Sequence, residues 1–342
     1  MKKRDPSAEV GIDVIGDIHG YADHLKALLE QMGYRKTKGA YRHDARTAIF
    51  VGDLIDRGPK QVEVYRLVRD MCEAGSAQCV LGNHEFNAIG FTMPHPETGA
   101  PLRQHNARNV QQHEAFLKQV KKEREPNLYE EIIDWFRILP VWIDRDDLRV
   151  VHACWHEGSR QALGTYVDDN GQFTTEGLMT ALTRGTEAYD AVEILLKGPE
   201  VRLPNGLTFR DPQGSVRRKA RVKWWDHGAT TYRTALIVSP DVVDKLPDSE
   251  LQDQDRRFAY LDSKPLFFGH YWLDEELHVK HESAVCLDYS IAKDGALVAY
   301  RWSGETKLQS DNLHAVPKPT VGDRTWPAQP YQSSSVGGSA VG

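Results

Sequence analysis

The sequence predicts an α/β fold. Short apolar runs recur along its first half, and each ends at a glycine. Stretches with apolar residues at helical spacing follow the first two runs. Strand, polar glycine turn and helix, repeated, is the signature of helices laid on a sheet. In such sheets the chemistry sits at the carboxyl ends of the strands.

Val10–Ile15 reads as the first strand, ending at Gly16. Residues 21–32 carry Leu25, Leu28, Leu29 and Met32 at helical spacing. Residues 47–51 form a second strand before Gly52, and Gln61–Ala74 an amphipathic helix. Gln78–Leu81 is a third strand, ending at Gly82. Residues 92–128 break this rhythm with two proline turns and a polar helix through HEAFLKQVKKERE, and read as an insertion packed over the domain. Its His95, His105 and His113 are spaced too widely for a compact metal site and read as polar helix positions. Ile132–Leu139 is amphipathic and leads to strands around Val141–Ile143 and Leu148–Val151. Residues 156–230 are polar, with weak periodicity. Strands return at Ala235–Val238 and Pro265–Phe268, and Ala284–Leu287 with Leu297–Arg301 read as a hairpin joined by KDG. From Lys307 onward Pro, Ser and Gly dominate, which predicts disorder.

The bulk composition narrows the function. The 342 residues are 40% apolar, enough for a sizeable core. With 43 basic and 49 acidic side chains the net charge is −6, which argues against a broad nucleic-acid face. Four scattered cysteines include no CxxC pair, so neither a disulfide framework nor a thiolate zinc site is expected. No window approaches a membrane span, and the charged start lacks the apolar stretch of a signal peptide. A cytoplasmic location is therefore expected.

Three segments share one design, an apolar strand, a glycine and then metal-competent side chains. IGDIHG supplies Asp17 and His19, VGDLIDRGP supplies Asp53, Asp56 and Arg57, and LGNHE supplies Asn83, His84 and Glu85. His152 and His270 also follow apolar strands. Asp and His suit Mn, Fe or Zn. Asp17 and His19, two apart on an extended segment, lie on the same side. A carboxylate such as Asp53 has two oxygens and can bridge two ions, and two adjacent ions can clamp a phosphate. Each piece alone is commonplace. Their joint occurrence in this order is not.

The set resembles the calcineurin-like metallophosphoesterase superfamily, and within it the phosphoprotein phosphatase branch that includes bacterial symmetrical diadenosine tetraphosphatases. GDIHG, GDLIDRG and GNHE carry the likeness, which extends through FRILPVWI, RVVHA, FFGH and VCLDYSIAKDGALVAYRW. The resemblance implies an αββα sandwich of two mixed sheets flanked by helices. It implies one metallophosphoesterase domain over 1–306, with the insertion at 92–128 and a variable region at 156–263, and a tail over 307–342. It implies two metal ions, the first on Asp17, His19 and Asp53, the second on Asp53, Asn83, His152 and His270. A hydroxide bridging them would attack phosphorus, His84 would protonate the leaving oxygen, Asp56 would orient His84, and Arg57 would grip the phosphoryl oxygens. A further Arg from the middle region would join it, with Arg217, Arg218 and Arg221 as candidates. GHYW places Trp272 where many relatives outside the branch have a second histidine. LDYSIAKDG also departs from the Thr-Gly-Cys or Thr-Gly-Ala run of relatives.

The expected substrate is then either a phosphoserine or phosphothreonine protein or a dinucleoside polyphosphate. A base pocket for the latter could use residues 92–128 or the pair Trp224 and Trp225, which read equally as a core strand. A metal-dependent nuclease and an inactive binding module on the same fold are the alternatives. The charge and GHYW disfavour the first, and the intact ligand set disfavours the second.

Overall fold

Alternation along the apolar strands sends one side chain inward and the next outward, and both faces are covered. The computed structural model describes residues 11–210, 214–274 and 276–318. The first half of the chain begins with β1 (Gly11–Ile15), α1 (Ala22–Gln31), β2 (Arg35–Thr37), β3 (Ala40–Arg42) and β4 (Arg46–Phe50). It continues with α2 (Gln61–Glu73), β5 (Ala77–Cys79), α3 (Asn83–Thr92), α4 (Ala107–Glu123), α5 (Leu128–Arg137), β6 (Trp142–Asp144) and β7 (Arg149–Val151). Then come α6 (Glu157–Leu163), α7 (Thr175–Leu182), α8 (Glu187–Lys197), β8 (Glu200–Arg202), β9 (Phe209–Arg210), β10 (Val216–Arg217), β11 (Lys219–Val222) and β12 (Leu236–Ile237). The chain closes with β13 (Leu266–Phe268), β14 (Ala284–Cys286), β15 (Asp288–Tyr289), β16 (Ala296–Trp302) and β17 (Leu313–Pro317).

Two sheets form the centre. The first has strand order β15-β16-β1-β4-β5, with β17 also on β16. Within it β1, β4 and β5 are parallel, so Asp17, Asp53 and Asn83 all leave from one edge. The second has order β14-β13-β7-β6, with β7, β13 and β14 parallel, so His152 and His270 leave together as well. Val14, Ile49 and Val298 of the first sheet pack against Val150, Phe267 and Val285 of the second. Their neighbours Ile15 and Phe50, and Leu266 and Phe268, turn outward into the helical layers. This is the expected sandwich, helix layer on each outer face. Fully burying each such side chain contributes about 1.5–3 kcal/mol.

The polar helix of the insertion starts six residues earlier than its apolar pattern suggests, because the Asn106 side chain accepts from Asn109 N–H and caps α4. It buries His113, Phe116 and Val120 as one stripe. The variable region contains α6 to α8 and a three-stranded sheet, β12-β11-β8, with its own apolar centre of Val201, Val222, Leu236 and Leu246. Periodicity was weak there because these elements are short.

Two expectations are corrected. Ala284–Leu287 and Leu297–Arg301 do not form a hairpin. β14 pairs in parallel with β13 in the second sheet, and the chain crosses at Leu287 so that β15 pairs with β16 in the first. The turn chemistry of KDG fits a hairpin, but the pairing is decided by two distant strands. Disorder does not begin at Lys307 either. Leu313–Pro317 pairs antiparallel with Ala296–Tyr300, burying Ala315 and Val316 against the core. Val10 and residues 319–342 lie outside the described residues.

That edge strand yields a test. Val316→Asp should lower stability by about 2–4 kcal/mol, because it places an unpaired charge on a buried surface. Urea unfolding of the variant against the unchanged chain reads it; equal midpoints would mean that β17 does not pack.

Candidate metal centre

Asp17 and His19 follow β1, and Asp53 follows β4. Asn83 and His84 open α3, and His152 and His270 follow β7 and β13. All seven are buried. The backbone between strand and ligand is sharply turned. His19, Asp53, Asp56, Arg57 and His270 all have positive φ, between +47° and +78°. Non-glycine residues in that region are strained, and strain of this kind gathers where function fixes the geometry. Glycine is required beside them. A Cβ on Gly82 would lie 2.2 Å from Asp53 N, and one on Gly269 1.9 Å from Asp17 Oδ1.

Asp53 is the shared centre. Its Oδ2 lies 3.7 Å from His19 Nε2 and 3.8 Å from His84 Nε2, and its Oδ1 3.4 Å from His152 Nε2. Two groups can each surround a metal ion: His19, Asp53 and His84, and Asp53, His152 and His270. Asn83 Oδ1 joins the second, 3.2 Å from His152 Nε2. Asp17 reaches the same place from the other side, its Oδ2 accepting from His270 N–H at 3.1 Å. Asp17 Oδ1, His19 Nε2 and His270 Nε2 are buried without a hydrogen-bond partner. Buried polar atoms are ordinarily satisfied, so three orphans around one carboxylate fit a cation.

The surroundings prepare these groups as ligands. The Nδ1 of His19 donates to Ile55 O (3.0 Å) and that of His152 to Val51 O (2.7 Å), since a carbonyl only accepts. Each contact fixes the tautomer and leaves Nε2 free for a metal. Glu85 accepts four backbone N–H groups, from Gly82, Asp53, Leu54 and Ile55, at 2.8–3.3 Å. It thereby clamps the Asp53 turn to α3.

Charge is concentrated here. Burial pushes the Asp17 carboxyl up, helped by Asp288 and Asp53. Burial and Asp53 push Glu85 up to about 7, and burial raises Asp288 to about 6. Burial opposes ionisation of Asp53 too, but His152, His84 and His19 outweigh it and hold this carboxyl well below the usual range. Burial lowers His19 to about 4, and burial with Arg221 lowers His270. Four acidic groups crowd into one dry site, where burial favours the neutral forms of His19 and His270 while Asp53 favours the charged forms of His84 and His152. That arrangement is costly alone and is relieved by bound cations.

His84 donates from Nδ1 to Asp56 Oδ2 at 2.5 Å. Burial would lower its pKa, but Asp53 and Asp56 raise it. Arg57 is exposed, its guanidinium 4.6 Å above the ring of Trp272. Lys293 Nζ lies 4.7 Å from the same ring. Arg221 donates from Nε to Lys197 O at 3.0 Å and is the cation whose field reaches His270, whereas Arg218 is exposed just before β11. Trp224 and Trp225 are core residues beside Phe268 and Tyr271, Trp224 Nε1 donating to Tyr271 Oη at 2.7 Å.

Three contributors escaped sequence reasoning. Glu85 was visible in GNHE but had no assigned task. Asp288, within LDYSIAKDG, accepts from Trp272 N–H (2.8 Å) and Ser290 N–H (3.0 Å), so it braces the His270 turn. His113 is the third. It is buried, with Nδ1 3.7 Å from Asp56 Oδ1, and its reading as a polar helix position is corrected. Its helical spacing against Phe116 and Val120 was the available signal.

The family model for calcineurin-like phosphoesterases matches residues 11–199, more than half of the chain. The protein belongs to that family. A symmetrical bis(5'-nucleosyl)-tetraphosphatase of Vibrio cholerae serotype O1 is 29% identical over 302 residues, covering 84% of this chain and 94% of that protein. An asymmetrical bis(5'-nucleosyl)-tetraphosphatase of Halalkalibacterium halodurans is 49% identical over 73 residues, 21% of this chain; the match spans 30% of that relative's length. A protein serine/threonine phosphatase from Saccharomyces cerevisiae aligns over 91% of this chain and 81% of its own, with a TM-score of 0.47 and 14% identity. Among the described residues no helix is long and apolar enough to cross a membrane.

Glu85→Gln should weaken manganese binding by about 10–100-fold, the usual cost of losing a group that orients a ligand. Titration of the metal-free chain followed by calorimetry checks this; unchanged affinity would remove Glu85 from that task.

Proposed function

We propose that this chain hydrolyses a phosphoanhydride of the dinucleoside polyphosphate class at a centre of two metal ions. The observation that carries the proposal is the position of Asp53, one carboxylate within reach of two separate ligand groups. Asp17, His19 and Asp53 would hold one ion, and Asp53, Asn83, His152 and His270 the other. Asp, Asn and His ligands suit Mn, Fe or Zn. Such a pair supplies Lewis acidity and a hydroxide near neutral pH.

The chain's own residues do the rest. His84 is held by Asp56 through Nδ1, so Nε2 faces the ligand cluster and can deliver a proton to the departing oxygen. Asp53 and Asp56 raise the pKa of His84, which favours the form that carries this proton. Arg57 is exposed over the Trp272 ring, and its planar fork is suited to phosphoryl oxygens. Arg221 stands on the His270 side. The dinucleotide is favoured over a phosphoprotein because the Vibrio cholerae relative, named for that substrate, aligns along most of both chains. The buried Trp pair is not a base platform, so a base would need another surface.

Turnover of the manganese-loaded protein on diadenosine tetraphosphate beside a phosphothreonine peptide decides the substrate. Much faster cleavage of the dinucleotide supports the proposal; preference for the peptide would replace it with protein phosphatase activity. His84→Asn should slow turnover by about 10²–10⁴-fold while both ions remain bound, the range expected for a lost general acid. The loss should shrink as the leaving group improves. Equal losses for good and poor leaving groups would assign the proton to another residue.

A further inference from the structure

The insertion reaches the catalytic machinery. Asp56 is buried, and only one of its two oxygens is satisfied by hydrogen bonding. Oδ2 takes the bond from His84, whereas Oδ1 is buried without a hydrogen-bond partner. A buried, unsatisfied carboxylate oxygen is costly. Facing it is His113 of α4, Nδ1 at 3.7 Å. That is longer than a hydrogen bond, and a shift of well under 1 Å would close it. Hydrogen bonds in such sites are often long until substrate is bound.

The chemistry of the contact has one consistent assignment. Burial opposes the charge of Asp56, but His84 and His113 together outweigh it and hold the carboxyl well below its usual range, so it only accepts. His113 Nδ1 must then carry a proton. Its Nε2 lies 3.0 Å from Tyr129 Oη on α5, which can donate to it. The ring is packed by Phe91 and Phe116, with centroids at 4.9 and 5.2 Å, which fixes its plane. Two hydrogen bonds, Tyr129 Oη to His113 Nε2 and His84 Nδ1 to Asp56 Oδ2, thus flank a gap that closure of His113 onto Asp56 Oδ1 would join into one chain of donors. Helix α4 holds the same loop a second time. Gln119 donates to Gly58 O and accepts from Gln61 N–H, and Gln61 in turn accepts from Asp56 N–H.

We infer that His113 is a positioning residue for His84, acting through Asp56, and that α4 is therefore part of the catalytic apparatus rather than a cover. The inference rests on the proposed role of His84 as proton donor. A purely structural role predicts otherwise, because an aromatic pocket accepts phenylalanine in place of histidine.

Two variants test it. His113→Phe keeps the aromatic volume and removes both nitrogens. His113→Asn places an amide N–H where Nδ1 was. On aryl phosphates of graded leaving-group acidity, His113→Phe should lower kcat about tenfold for poor leaving groups, the scale of one hydrogen bond of about 1.4 kcal/mol. It should leave good leaving groups, KM and metal content unchanged. His113→Asn should restore most of the loss. Wild-type rates in His113→Phe, equal losses across the series, or no recovery with Asn would each overturn the inference.

A second readout is independent of turnover. In the metal-free protein with ¹⁵N-labelled histidine, the His84 Nδ1 proton should resonate far downfield, and His84→Asn identifies it. His113→Phe should move that signal upfield or broaden it by exchange. An unchanged signal overturns the inference. If the wild-type protein hydrolyses no phosphate compound, the proposed function fails by itself, and the spectrum still decides whether His113 orders the Asp56–His84 pair.

Discussion

Everything at this site depends on holding one ionised carboxylate, Asp53, in the dry seam where the two sheets end. Burial opposes its charge, yet the charge survives because His152, His84 and His19 surround it. Its backbone sits at positive φ, and Glu85 holds the turn from beneath with four accepted hydrogen bonds. The strained turn and the carboxylate beneath it depend on each other. Without the clamp the turn would relax, and without the turn Asp53 would not face both ligand groups.

The acid-rich surroundings follow from that arrangement. Asp17, Glu85 and Asp288 are all pushed upward by burial and by the field of Asp53, and Asp17 also by Asp288 and Glu85. Cations bound near these groups would favour the ionised forms. Metal binding there would then be coupled to the order of the strand ends. The same logic explains the paired arrangement of His19 and His152. Each spends Nδ1 on a backbone carbonyl, which leaves Nε2 as a neutral donor.

A second layer, further out, decides orientation. Asp288 braces the His270 turn from the crossing between the sheets, and the Trp272 ring lies beneath the Arg57 guanidinium. On the other flank, α4 supports Asp56 through His113 and supports its loop through Gln119. These groups come from segments that have no motif of their own.

The sequence by itself marked the candidate ligands and the class of fold. Strand, glycine and ligand are local, so GDIHG, GDLIDRG and GNHE reveal themselves through spacing and turn chemistry. Short apolar runs likewise marked β1, β4 and β13. Only the tertiary structure decided which strands pair, and there local reading failed at Ala284–Leu287 and at Leu313–Pro317. Both segments draw their order from partners far away in the chain, which no local pattern encodes. The same holds for His113. Fifty-seven positions separate it from Asp56 in number, and only the packing of α4 against α2 brings the imidazole to the carboxylate. Ligand identity is a property of short segments, whereas support for the ligands is a property of the packed core.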